Sequence, residues 1–164
     1  MTSSMQTPPS RRRALRGLLV PLLPLLLAAA LPALAHGPTR QKVSEKITIE
    51  APADAVWAKV KNFDALKDWH PAVAASPADK GNAEGSVRTL KLKDGGALPV
   101  SNYTSTIQVT GTGATSTVEW RGAFYRAYPN NNPPPEQNDE AALKAVTDVY
   151  RGGLAHLKKM MESK

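Results

Sequence analysis

Two short stretches bring chemically capable side chains close together. Trp69-His70-Pro71 ends the polar part of FDALKDWHPAV, residues 63–73, and Arg88 lies within GSVRTLKLKDGG, residues 85–96. Histidine titrates near neutrality and can act as a general base, while a guanidinium grips a carboxylate or phosphate with two parallel donors. Combined, they describe a cyclase- or hydrolase-like centre with His70 as base and Arg88 as anion clamp. No serine or cysteine nucleophile with an orienting acid adjoins His70 in sequence, and Asp68 two residues away has no assigned direction. The other reading makes Trp69-His70-Pro71 a pocket rim and a helix stop, because a residue preceding proline is pushed out of the helical region. In that reading His70 bonds a backbone carbonyl and seats Trp69. This second reading is the one adopted, and no catalytic residue is assigned.

Arg88 alternates with its neighbours. It shares a strand face with Leu90 and Leu92, while Val87, Thr89, Lys91 and Lys93 share the other. A guanidinium on an inward face needs a partner, either an anionic ligand or a carboxylate such as Glu45 or Glu84. Trp120, Gly122 and Phe124 form another face, with a gap between two aromatics that suits either a ligand or a helix. Gly152-Gly153 falls inside a helical pattern, where each glycine costs about 1 kcal/mol relative to alanine; close backbone approach or a kink explains it. His36, His70 and His156 are the only histidines and there is no cysteine. Disulfides, thiolate metal sites, a cysteine nucleophile and covalent c-type haem are therefore excluded. His36 could chelate copper only as a new N-terminus, and with so few further ligands no metal and no cofactor is expected.

After ten residues come Arg11-Arg12-Arg13 and Arg16, then an apolar run from Gly17 that closes on Ala33-Leu34-Ala35. This is the layout of an export signal with small residues at the cleavage point. Ser10-Arg11-Arg12-Arg13-Ala14-Leu15 also matches much of the twin-arginine pattern, so both export routes remain open. Pro21, Pro24 and Pro32 speak against a stable membrane anchor. Residues 1–35 are read as the cleaved signal, 36–42 as a loose mature start and 43–164 as one domain in the periplasm. The four leader arginines account for four of the seven net positive charges, leaving +3 on the mature chain. That residue of charge fits an acidic protein partner and gives no case for nucleic acid. Lys158, Lys159 and Arg126 are the positions expected to steer such a partner.

The elements follow from periodicity. Val43, Ile47 and Ile49 mark a strand; Val56, Trp57, Val60 and Phe63 a helix; Asp64 can cap a second short helix that ends at Pro71. A short strand at 72–76, a longer one at 85–93 and a hairpin about Gly111-Thr112-Gly113 follow. YPNNNPPPEQNDE is a long loop, and Leu143, Val146, Tyr150, Leu154, Leu157 and Met161 stripe a terminal helix. The implied fold is α+β: a curved antiparallel sheet of about five strands packed on a long C-terminal helix, with two short helices after the first strand. A hollow is expected beneath that helix, bordered by Trp69, His70, Arg88, Tyr103, Trp120, Phe124 and Leu154. A small hydrophobic or anionic ligand would occupy it.

W-H-P after the second helix, G-x-V-R-x-L, L-P-V-x-N-Y before S-T-I-x-V, and V-E-W-x-G-x-F resemble the SRPBCC superfamily of START-like and Bet v 1-like domains. More narrowly, AHGPTRQKV, WHPAV and YPNNNPPPEQNDEAALKAVTDVYRGGL resemble the periplasmic MxaD-type proteins of methanol oxidation, which carry a polyketide cyclase/dehydrase-like label. The resemblance implies a helix-grip fold and an accessory or ligand-binding role, with methanol dehydrogenase or its cytochrome as partner. It also implies one further hairpin between KLKDGG and LPV, where this chain has only Ala97. The sheet is thus expected to be one hairpin short, and its cavity shallow, open or completed by another chain.

Overall fold

Burial alternates along β1 (Gln41–Ile49), with Val43 and Ile49 buried, Ile47 half-buried and Ser44, Lys46 and Thr48 exposed. The computed structural model describes residues 37–163. The expected signal, residues 1–35, and His36 lie outside the described residues.

After β1, Pro52 starts helix α1 (Ala53–Val60), whose Val56 and Val60 sit one turn apart and are both buried. Helix α2 (Leu66–Trp69) ends at His70, held extended at φ −104° and ψ 118° as the residue before Pro71. Strand β2 (Val73–Ala75) pairs antiparallel with β3 (Lys91–Leu92). The long strands β4 (Val100–Thr110) and β5 (Ser116–Arg126) form the hairpin, and β1 pairs antiparallel with the other side of β5. Gly111, at φ 149°, makes the turn, where a side chain would strike the backbone of Thr115 and Ser116. A 3-10 turn (Pro135–Gln137) precedes helix α3 (Asp139–Glu162), which Asn138 caps by accepting the Ala141 N–H at 2.8 Å.

The five strands and the terminal helix make the α+β helix-grip architecture, but the strands form two separate ladders rather than one sheet. The order is β1-β5-β4 in the first and β2-β3 in the second. The strand expected over 85–93 is regular only at Lys91–Leu92, with one isolated bridge between Ala78 and Arg88. Its cause is topological. Only Ala97, Leu98 and Pro99 separate Gly96 from β4, so among the described residues β3 has β2 alone as a ladder partner. The in-out alternation survives the loss: Arg88, Leu90 and Leu92 are half-buried, and Val87, Thr89, Lys91 and Lys93 are exposed.

The core lies between the three-stranded sheet and α3. Trp120 of β5 stacks on Tyr150 of α3 with centroids 4.2 Å apart and planes at 10°. Trp69 tilts onto Trp120 at 5.5 Å, and Val118, Phe124, Val146, Leu154 and Leu157 fill the remainder. Trp57 departs from its expected place on the buried helix face and is 46% exposed. Val56 and Val60 already occupy the inward direction, and the neighbouring position on the helix projects away from it. Among the described residues no helix is long and apolar enough to cross a membrane.

Candidate functional site

A cavity of about 480 Å³ opens between residues 85–90 and the start of β4, with Phe63, Val87, Arg88, Leu90, Tyr103 and Ser105 in its wall. It lies beside the core, in the gap between the two strand ladders, and not beneath α3 as the sequence suggested. The space under α3 is filled. The Tyr150 hydroxyl enters the gap that Gly122 leaves between Trp120 and Phe124, and a methyl group at Gly122 would collide with it. The gap between the aromatics is thus a helix-packing feature.

Local backbone geometry sets the cavity wall. The β4–β5 register shifts between Ser101 and Thr104, and Asn102 adopts φ 48° there. This bulge turns Tyr103 toward the core, where its ring stacks on Phe124 at 6.3 Å and its hydroxyl meets that of Tyr150 at 2.6 Å. Burial, first, and the Tyr103 phenol beside it push the Tyr150 hydroxyl well above its ordinary pKa, so Tyr150 stays protonated and neutral.

Arg88 is the charged member of the wall. Its guanidinium lies 4.4 Å from the centroid of the Phe63 ring, and Nη1 donates to the Phe63 carbonyl. Among the described residues it forms no ion pair; Glu45, one candidate partner, is held by Arg151 at 3.1 Å. Burial draws the guanidinium pKa down, against an upward pull from Tyr103 and Tyr150, and the group remains a cation at neutral pH. A second hollow, of about 430 Å³, lies on the solvent side of the three-stranded sheet. Its Arg121 is already engaged by Gln108 and Glu119, so it lacks an unpaired guanidinium.

The other residues expected at the pocket stand elsewhere. Trp69, His70, Trp120, Phe124 and Leu154 are each no more than 2% exposed and pack in the core. His70 is fixed at both ring nitrogens: Nε2–H donates to the Val149 carbonyl at 2.8 Å, and Nδ1 accepts from the Ala72 N–H at 3.2 Å. Burial, above all, lowers its pKa below 6.5. With no free nitrogen facing the cavity, His70 is not the base that a hydrolase-like reading requires. His156 similarly meets the Trp69 carbonyl at 2.9 Å, and among the described residues no three metal-ligating side chains gather.

His70 gives a prediction about pH. Its folded pKa lies below the unfolded value near 6.5, so on acidification the unfolded chain takes the proton first. The stability contributed by neutral His70 is complete above about pH 6.5 and drains away as pH falls toward the folded pKa. Urea unfolding at about pH 7.5 and 5.5 should show this loss, and His70→Gln should flatten the dependence between those values. Equal slopes in both proteins would contradict the assignment.

Arg126 was expected on the docking surface with Lys158 and Lys159, but it is 4% exposed. It pairs with Asp139 at 3.0 Å and donates to the carbonyls of Tyr128 and Asn130, tying the Asn/Pro loop to the start of α3. Lys158 is shared between Glu162 and the Thr48 carbonyl, each at 2.8 Å. Lys159 alone of the three is exposed at the surface. Phe63 and Tyr150 are the site residues sequence reasoning missed. Their apolar helical spacing marks both as packing residues, and their contacts with Arg88 and Gly122, 25 and 28 residues away, leave no local signal.

No curated protein sequence matches the chain. Solved structures do. XoxI from Bacillus cereus is 29% identical, with a TM-score of 0.57 over 73% of this chain and 94% of that one. An uncharacterised protein from Bacillus thuringiensis is also 29% identical, with a TM-score of 0.59 over 75% of this chain and all of the other. The ZhuI aromatase/cyclase from Streptomyces sp. R1128 shares the fold at 15% identity, with a TM-score of 0.57 over 76% and 94%. The family profile described as polyketide cyclase/dehydrase and lipid transport matches in two pieces, residues 40–97 and 90–162. The join falls where the two strand ladders part. Profile match and shared helix-grip architecture agree: this chain belongs to the polyketide cyclase/dehydrase and lipid transport family.

Proposed function

We propose that the protein binds a small amphiphilic anion, a carboxylate on an aromatic or short apolar body, and performs no bond chemistry of its own. The observation that carries this reading is Arg88: a half-buried cation without a carboxylate partner among the described residues, in the wall of a cavity otherwise built from Phe63, Val87, Leu90 and Tyr103. An anionic head would take the remaining guanidinium donors, a charge-assisted contact of about 1.5–3 kcal/mol. The apolar body would lie against Phe63 and Leu90.

Calorimetric titration with phenylacetate and with phenylacetamide separates charge recognition from simple apolar filling. The carboxylate should bind at least about tenfold more tightly, and Arg88→Gln should erase that preference while leaving the amide's affinity unchanged. Equal affinity for the two probes in the native protein would refute the reading.

The same reading sets the protein in the periplasm as an accessory to methanol oxidation, with methanol dehydrogenase or its cytochrome as partner. Support comes from the export pattern of residues 1–35 and from the MxaD-like stretches at 35–43, 69–73 and 128–154. Fractionation of methanol-grown cells should recover a periplasmic chain beginning at His36. A cytosolic chain that keeps Met1 would dispose of the assignment.

A further inference from the structure

Strand β4 has a partner on one side only. It pairs with β5, and among the described residues no backbone hydrogen bond joins its outer edge to another strand. Open edges in folded proteins are ordinarily guarded by lysine, proline or short length. Here the edge runs eleven residues, Val100–Thr110, and contains no charged residue and no proline. Its only irregularity is the bulge at Ser101–Thr104; the seven residues Thr104–Thr110 beyond it pair regularly with β5.

The exposed apolar side chains cluster along this edge. The two large ones among the described residues are Trp57, 46% exposed, and Val87, 67% exposed. Trp57 shares a groove of about 340 Å³ with Ile107 and Val109, near one end of the strand. Val87 faces Tyr103 and Ser105 across the cavity mouth, near the other end.

We infer that the edge of β4 is an interface with a second copy of this chain, joined antiparallel about a two-fold axis at Ile107. Charge selects the occupant. Without the four leader arginines the chain carries 17 basic and 14 acidic residues, so two copies still repel weakly except where the surface is neutral, and β4 is such a surface. An acidic partner finds no cation between Val100 and Thr110. Antiparallel pairing about Ile107 sets Thr104 against Thr110, Ser105 against Val109, Thr106 against Gln108 and Ile107 against its symmetry mate, with no charge opposed to a charge. This is the isologous arrangement a two-fold requires. It brings the Trp57 end of one copy to the Val87 end of the other, covering both exposed apolar groups and giving a continuous six-stranded sheet. The inference stands apart from the anion-binding reading.

The test is sedimentation of the purified protein beside Thr106→Lys/Gln108→Lys, which sets lysine against lysine across the axis at two exposed positions. Thr48→Lys, exposed on β1 at the far edge of the same sheet, is the control. The native protein and the control should sediment at twice the 17.6 kDa chain mass, or twice the mass left after processing. The double variant should associate at least about tenfold more weakly, with an unchanged circular dichroism spectrum. A native protein that is monomeric, or a double variant that still dimerises, overturns the inference. The latter result would assign association to another part of the chain, such as the apolar N-terminal run.

Discussion

Arg126→Met is expected to cost about 3 kcal/mol of folding stability, a large share of what a domain of this size possesses. The guanidinium is 4% exposed and spends its donors on the Asp139 carboxylate and on the carbonyls of Tyr128 and Asn130. Methionine matches much of the stem's volume, so the loss is polar rather than a cavity. It strands one carboxylate and two carbonyls that the fold had satisfied, and removing one member of such a buried set costs more than the set itself contributes. Asp139 is partly solvated and sits in the first turn of α3, where the helix dipole favours a negative charge. Its share of the penalty is therefore the smaller one. The damage should be local in the native state as well: residues 128–138 should become more susceptible to proteolysis, while the β1-β5-β4 ladder retains its amide protection. Urea unfolding gives the energy and hydrogen exchange gives the location. A midpoint within error of the native protein would show that the loop is held by something else.

The fold was legible wherever the signal is local. Alternation at 43–49 and 118–124, the stripe from Val146 to Leu157 and the stop at Pro71 each depend on residues a few positions apart. The split into two ladders was not legible in the same way, because a strand's regularity depends on its neighbours. GSVRTLKLKDGG alternates like a strand, yet for most of its length no adjacent strand is available to pair with it. Trp57 failed for a related reason. An aromatic at helical spacing is assigned to the core by type, but only the packed structure shows that Val56 and Val60 had already claimed the inward direction.

The site divides along the same line. Arg88's direction followed from parity, whereas its contact with Phe63, 25 residues earlier, belongs to tertiary structure. Trp69 and His70 drew notice because of what their side chains can do. Burial then fixed what they do here: an aromatic cluster of Trp69, His70, Trp120 and Tyr150 against α3, with the histidine locked by two backbone bonds. Residue type announced capacity, and the environment removed it.

The Gly152-Gly153 pair offers a sharper test, since two adjacent substitutions of the same kind should act in opposite directions. Gly152 lies on the open side of α3, with no atom within 4 Å of where a Cβ would stand. Gly152→Ala should therefore show only the propensity gain of about 1 kcal/mol. At Gly153 the same methyl would run into the His70 ring edge, with Nε2 at 2.8 Å and Cζ3 of Trp120 at 3.1 Å. Neither ring can retreat cheaply. His70 would give up its bonds to Val149 and Ala72, each about 1 kcal/mol, and Trp120 would lose its stack on Tyr150. Overpacking of about 1–3 kcal/mol adds to this and outweighs the helix gain, for a net loss of about 2–4 kcal/mol. Urea midpoints should separate in opposite directions from the native value. If Gly153→Ala is instead neutral or stabilising, the close approach of α3 to His70 is not a constraint on this fold, and the histidine's fixed protonation state loses its structural support.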